Sequence, residues 1–213
     1  MSYIVERRSE EKDRRRERII AAAEELHQER GWEQVTMEAV ARRAHLSRGL
    51  LYVRFPDRNA LHHAIAARGL EQLHARMLEA VAGASRGVDK VLAMFDAYSA
   101  FAQDSPHMFE ACARMEQGLL FQGETTPDVE MCLATGNRIF NLLAQALACG
   151  QLDGSVRKDL GESTVAARAL CGFMHGVLQM VVFKARNLPV APAAMMEQAH
   201  AFIMSAVASP PPS

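Results

Sequence analysis

Apolar residues recur at three- and four-residue spacing along most of the chain and nowhere alternate convincingly with polar ones, so the pattern predicts an all-α protein of about nine helices. Ile19, Ile20, Ala23 and Leu26 mark a first helix over roughly residues 10 to 30, stopped by Gly31. Thr36 precedes Met37, Val40, Ala41 and Ala44, and Ser47 precedes Leu51 and Phe55. Each hydroxyl is placed to take up an orphan amide at the start of a short helix. Pro56 ends the third helix, because the residue before proline is steered out of the helical region, and Asp57 caps a fourth. That helix carries Leu61, Ile65, Leu70, Leu73, Met77 and Leu78 to about residue 82.

Five further helices follow. Gly83 to Gly87 reads as a loop, and Val91, Leu92, Phe95 and Tyr98 lie on a helix over residues 88 to 103. Ser105-Pro106 and Thr126-Pro127-Asp128 are start signals for the next two, the first running to about Gly118 and the second to Gly150. A segment over about 162 to 186 is apolar on nearly every side and must be covered all round. A last amphipathic helix spans 193 to 208 and leads to a tail over 209–213, expected to be flexible.

Composition changes this picture little. Hydrophobic residues make up 49% and charged residues 23% of the 213, which is ordinary for a globular protein. The formal net charge of -1 is unevenly spread: residues 1 to 70 carry 14 Lys+Arg against 11 Asp+Glu, and the remainder carries more acid than base. A basic end on an acidic body suits a nucleic-acid binder. Cys112, Cys132, Cys149 and Cys171 form no C-x-x-C pair and no secretory framework, and so read as buried free thiols. The start of the chain is charged, and no run of about 18 apolar residues is evident to span a bilayer, so a cytoplasmic protein is expected.

Residues 36 to 61 carry the most specific chemistry. Two short helices joined by a tight turn, with Leu51 and Phe55 inward and Ser47, Arg48, Tyr52 and Arg54 on the remaining face, form a unit that fits the major groove. The same pattern is met as plain core packing with solvated arginines. Small Ala41 at the crossing and the short turn favour the DNA-reading unit. Ala21-Ala22-Ala23, Gly31, Thr36, Val40-Ala41, Ala44, Leu51-Tyr52, Phe55 and Leu61, in order and spacing over residues 17 to 65, resemble the tetracycline-repressor (TetR) family. The resemblance implies a homodimeric all-helical transcription regulator. Its three-helix helix-turn-helix domain would span 1–60, and a ligand-binding and dimerisation domain would span 61–208. It also implies that Thr36 and Tyr52 grip phosphates, that Ser47, Arg48, Gly49 and Leu50 face base edges, and that Arg58 holds a phosphate.

The physical chemistry of the side chains agrees. Arg48 can pair bidentately with guanine, whereas Arg54 and Arg58 neutralise charge without reading sequence. Two residues depart from the family pattern. His45 stands where glycine is usual in the inter-helix turn, and a left-handed turn there costs a non-glycine residue about 1 kcal/mol. Leu50 replaces a hydroxyl residue and offers a thymine methyl an apolar partner. Seven basic and five acidic residues over Glu6 to Arg18 read as a solvated helix start, with a minor-groove arm as the alternative.

In the body, Met94, Phe95, Tyr98, Phe101, Met108, Phe109, Cys112, Met115, Phe121 and Leu143 read either as plain core or as the lining of an effector pocket, with His175 and Gln179 as polar anchors. Leu170, Gly172, Phe173, Gly176, Val177, Met180 and Phe202 are expected at a two-fold helical interface. Two such heads fit a palindromic operator, from which a small apolar or amphipathic effector releases them. Double-stranded DNA, the effector and a second copy are thus the expected partners. No cofactor, metal or membrane partner is expected, and no nucleophile, glycine-loop or metal-ligand motif supports an enzyme. A sequence-independent architectural DNA protein is the rival reading, and the chain lacks the strong positive balance it would need.

Overall fold

The computed structural model describes residues 2–116, 126–183 and 189–210. They form α1 (Ser2–Arg30), α2 (Met37–Arg43), α3 (Arg48–Arg54), α4 (Arg58–Ala82), α5 (Gly87–Asp104), α6 (Pro106–Glu116), α7 (Pro127–Asp153), α8 (Ser163–Phe183) and α9 (Pro192–Val207). Among the described residues there is no β-strand, only an isolated bridge between Val156 and Ala208. Helices α1, α5 and α7 run somewhat longer than the pattern predicts, and the start signals hold. Ala60 donates its amide to Asp57 Oδ1 at 2.8 Å, and Val129 donates to Thr126 Oγ1 at 3.4 Å.

The chain divides into two compact units. The first comprises Met1–Gly69 with His107–Cys132, and the second Leu70–Pro106 with Leu133–Ser213. In unit 1 the core is built from Ile19, Ile20, Ala23 and Leu26 of α1, Val40 and Ala41 of α2, Leu51 of α3, and Leu61 and Ile65 of α4. Phe109 and Cys112 of α6 are also buried. The Cys112 thiol donates to the Ala66 carbonyl, and a Cβ on Gly69 would meet Cys112 Sγ at 3.1 Å. A side chain at Gly69 would require Cys112 or Met108 to give by a few tenths of an ångström, so α4 and α6 pack closely there.

Unit 2 is closed by a glycine contact between α5 and α7. A Cβ on Gly87 would lie 2.2 Å from the Gly150 nitrogen, and one on Gly150 would lie 2.3 Å from a Val156 methyl. Asp153 and Ser155 bind the start of α5, accepting from the Gly87 amide at 2.8 Å and the Val88 amide at 3.1 Å. Gly150 is therefore a contact point inside α7, which continues to Asp153, and not the stop its residue type predicts. Ser209 donates its amide to the Ser155 carbonyl at 3.0 Å, so the chain just past α9 is tied to the same turn. Residues 211–213 of the expected tail lie outside the described residues.

Helix α8 is long and apolar enough to cross a membrane by length and mean composition, although Arg168, His175 and Gln179 interrupt its apolar run. It is also far less covered than its composition demands. Ala167, Met174, Leu178 and Val181 are buried, while Val165, Phe173, Met180 and Phe183 face outward.

Candidate nucleic-acid interface

The geometry of α2, the turn and α3 follows from a few local bonds. Thr36 Oγ1 accepts from the Ala39 amide at 3.1 Å and Ser47 Oγ from the Leu50 amide at 3.3 Å, so both short helices are capped as their sequences predict. At the end of α2, Leu46 donates to the Ala41 carbonyl and His45 to the Arg42 carbonyl, the pair of bonds that closes a helix through a left-handed residue. That residue is His45, with φ of 54°, where glycine would be free of Cβ strain. Arg18 of α1 donates to the Ala44 carbonyl at 2.6 Å, which fastens the turn to the first helix.

Long-range ion pairs then fix α1 against its neighbours. Arg43 makes a bidentate pair with Glu29 at 2.8 Å and reaches Glu25 at 2.9 Å. These carboxylates push the Arg43 pKa above its already high ordinary value, and the guanidinium holds the Glu29 carboxyl below the usual range. Arg68 of α4 binds Glu24 at 2.9 Å and Glu17 at 2.6 Å, and burial still pushes the Glu24 carboxyl up. Arg16 pairs with Asp128 and stacks over the Phe55 ring, and Arg114 pairs with Glu33 and Glu110.

With α1 fixed in this way, α3 turns one side out. Leu51 and Phe55 are buried, whereas Ser47, Arg48, Gly49, Leu50, Tyr52, Val53 and Arg54 are all exposed. Thr36 is also exposed at the start of α2. Thr36 and these α3 residues are thus all exposed, and Arg48 has no carboxylate partner among the described residues. The remaining arginines are more committed. Arg54 donates to the Lys12 carbonyl at 3.5 Å and lies 4.0 Å from Asp13. Arg58 reaches the Trp32, Glu33 and Val35 carbonyls and lies over the Trp32 ring, bracing the loop between α1 and α2.

Behind this surface lies an aromatic cluster. Trp32 meets His27 at 5.4 Å and His62 at 4.7 Å between ring centroids, and His27 meets His107 at 5.9 Å. His62 is fully buried, and neither of its ring nitrogens has a hydrogen-bond partner among the described residues. Burial pushes its pKa down to about 3, so the ring is neutral at pH 7. Burial lowers the pKa of His107 as well. Glu110 stays ionised because His27 Nε2, 3.2 Å away, holds its carboxyl below the usual range. Among the described residues, no group of three or more His, Cys, Asp or Glu is placed to hold a metal ion.

Comparison with known proteins matches residues 19–65 to the bacterial regulatory proteins of the tetR family, and residues 91–203 to the tetracyclin repressor-like C-terminal domain. The chain belongs to the TetR family. It is therefore an N-terminal helix-turn-helix joined to a helical C-terminal domain, and a DNA-binding transcriptional regulator. The HTH-type transcriptional regulator UidR of Escherichia coli strain K12 is 26% identical over 167 residues, covering 76% of this chain and 79% of the relative. Among solved structures, a protein of unknown function from Rhodococcus sp. RHA1 shares the fold with a TM-score of 0.73 at 19% identity, over 92% of this chain and 96% of that one. The transcriptional regulator FadR of Bacillus subtilis in complex with stearoyl-CoA gives 0.67 at 16% identity, over 89% and 97%.

The residues expected to line an effector pocket fall into two sets. In unit 2, Met94, Phe95, Phe101 and Leu143 are buried, and Tyr98 of α5 is bonded through its hydroxyl to His175 Nδ1 of α8 at 2.6 Å. Gln179 Nε2 meets the other ring nitrogen of His175 at 2.8 Å. Burial lowers the His175 pKa and keeps the ring neutral between its two partners. In unit 1, Met108, Phe109, Cys112 and Met115 are buried on α6. Phe121 lies outside the described residues. A cavity of about 630 Å³ in unit 2 is lined by a different set, including Leu170, Phe173 and Phe202.

Sequence reasoning missed the Arg43 clamp, Arg18 and Val53. The charges of Arg43, Glu25 and Glu29 are visible in the sequence, but their pairing depends on how α1 crosses α2. Val53 is 84% exposed, and its position opposite Leu51 and Phe55 on a helical wheel was a signal available from the start.

Proposed function

We propose that this TetR-family regulator acts in the cytoplasm as a homodimeric repressor, binding a palindromic operator and released from it by a small apolar or amphipathic effector. The observation that carries the dimer is the uncovered face of α8 and α9. Phe173 meets Phe202 edge to face at 6.4 Å, and both rings are exposed, together with Met180. Gly172 and Gly176 have nothing within 4 Å of where a side chain would sit, which leaves room for a second backbone. Leu170 and Val177 continue the stripe half-buried. An apolar helix pair left open by its own subunit fits a four-helix interface with its copy.

Two heads held at a fixed separation then read two half-sites. Arg48 pairs with a base, with Ser47, Gly49 and Leu50 beside it at the base edges, and Thr36, Tyr52 and Arg54 position the helix on phosphates. Arg58 takes the role of a brace for the loop at Trp32, with phosphate contact as a second use of the same charge. The effector is placed in unit 2 beside Tyr98, His175 and Gln179, whose linked polar atoms in an apolar setting can orient one polar group of a ligand. A protein of similar fold is described in complex with stearoyl-CoA, which supports an effector of that amphipathic kind. Ligand and DNA compete through the relative populations of two states, and a coupling of about 1 to 3 kcal/mol gives roughly 5- to 150-fold regulation.

The test is the Phe173→Glu variant studied by sedimentation and by binding to DNA. The expected result is a monomer with a folded circular dichroism spectrum and greatly weakened operator binding. A variant that stays dimeric, or a parent protein that is monomeric at micromolar concentration, refutes the proposed interface.

A further inference from the structure

The outward centre of α3 holds no hydrogen-bonding side chain. At 3.6 residues per turn, Val53 points about 180° away from the mean direction of the buried Leu51 and Phe55. It is 84% exposed, the most exposed large apolar residue on this helix. Leu50 flanks it and is also exposed. Gly49, one turn before Val53, has nothing within 4 Å of where a Cβ would stand, so it adds no side chain to the centre of the face. The groups able to exchange hydrogen bonds with bases lie at the margins: Arg48 and Ser47 at the start of the helix, and the Tyr52 hydroxyl at one side.

We propose that the centre of each operator half-site is read by apolar contact, with Val53 and Leu50 packed against thymine C5-methyl groups, beside a guanine taken by Arg48. The inference rests on the DNA-reading role proposed above and names what that surface selects. The chemistry leaves little choice. In the major groove every base edge carries hydrogen-bond donors or acceptors, and the thymine methyl is the one apolar group presented there. Seating Val53 over a cytosine amino group or a purine edge leaves that polar group dehydrated and unpaired, which is costly. Seating it over a methyl removes apolar surface from water on both sides. Arg48 and Tyr52 of the same helix, and Thr36 at the start of α2, are likewise exposed.

The test uses the full-length protein and a duplex enriched on it from a random-sequence pool. Each thymine of the enriched duplex is replaced singly by deoxyuridine, which removes one methyl and leaves pairing intact. Replacement at one or more central positions of a half-site is expected to weaken binding about fourfold per methyl. The Val53→Ala variant, altered only at an exposed position, is expected to bind the enriched duplex more weakly and to lose its sensitivity to deoxyuridine at that position. An enriched duplex indifferent to deoxyuridine everywhere, or equal sensitivity in the parent and Val53→Ala, overturns the methyl readout while leaving the DNA-reading role intact. Failure to enrich any sequence overturns both.

Discussion

Replacing Gly87 by alanine adds a single methyl where the backbone of another helix already stands. The new Cβ would lie 2.2 Å from the Gly150 nitrogen, 2.3 Å from its Cα and 2.5 Å from the Ala146 carbonyl oxygen. All three are backbone atoms, so no rotamer change relieves the clash, and α5 must move away from α7 by roughly an ångström to reach van der Waals distance. That movement stretches the bonds from the Gly87 amide to Asp153 and from the Val88 amide to Ser155. Overpacking of this kind costs about 1 to 3 kcal/mol, and each of the two weakened hydrogen bonds adds about 1 kcal/mol, so a loss of about 3 to 5 kcal/mol is expected. For a chain of this length that corresponds to a Tm lower by roughly 6 to 20 °C. Gly136→Ala is the control, because it lies in α7 with nothing within 4 Å of its Cβ position and trades a poor helix former for a good one. Thermal unfolding followed by circular dichroism separates the two variants. A Gly87→Ala protein melting within a degree of the parent would show that the α5–α7 contact is not closed as described.

Two further outcomes follow from unit 1. His45→Gly relieves the left-handed residue of the turn and should stabilise the protein by about 0.5 to 1 kcal/mol in urea unfolding, with DNA affinity unchanged; a loss of stability would mean that the histidine ring makes a compensating contact. His62 binds its proton near pH 6.5 when unfolded but only near pH 3 when folded, so the unfolded chain holds more protons in that window and stability falls as pH drops below about 6.5. The slope from this ring is at most about 1.4 kcal/mol per pH unit, and His62→Leu should flatten it; an unchanged pH profile of unfolding would place the ring in contact with water.

The sequence made the helices of the DNA-reading unit legible because their signals are local. Thr36, Ser47 and Asp57 cap helices through side chains three residues from the amides they bind, and His45 reports its own backbone angle through its neighbours. What stayed hidden depends on packing between distant segments. Gly150 carries the residue type of a helix stop, yet α7 runs on past it: a side chain there would meet Val156 and Ser155, and its backbone lies where a side chain of Gly87, 63 positions away, would stand. The buried rings around Trp32 come from α1, α4 and α6, and nothing in the spacing of His27, His62 and His107 announces their meeting. The same limit applies to the outward stripe of α8. Periodicity says the helix needs cover on every side, but only the structure shows that its own subunit leaves Phe173 and Met180 bare.

Four arginines of the first unit are committed to internal ion pairs: Arg43 to Glu25 and Glu29, Arg68 to Glu17 and Glu24, Arg114 to Glu33 and Glu110, and Arg16 to Asp128. Those four guanidiniums already have their countercharge within the chain, so a duplex gains little from them, and the fall of DNA affinity with added salt should be set instead by cations left exposed, such as Arg48.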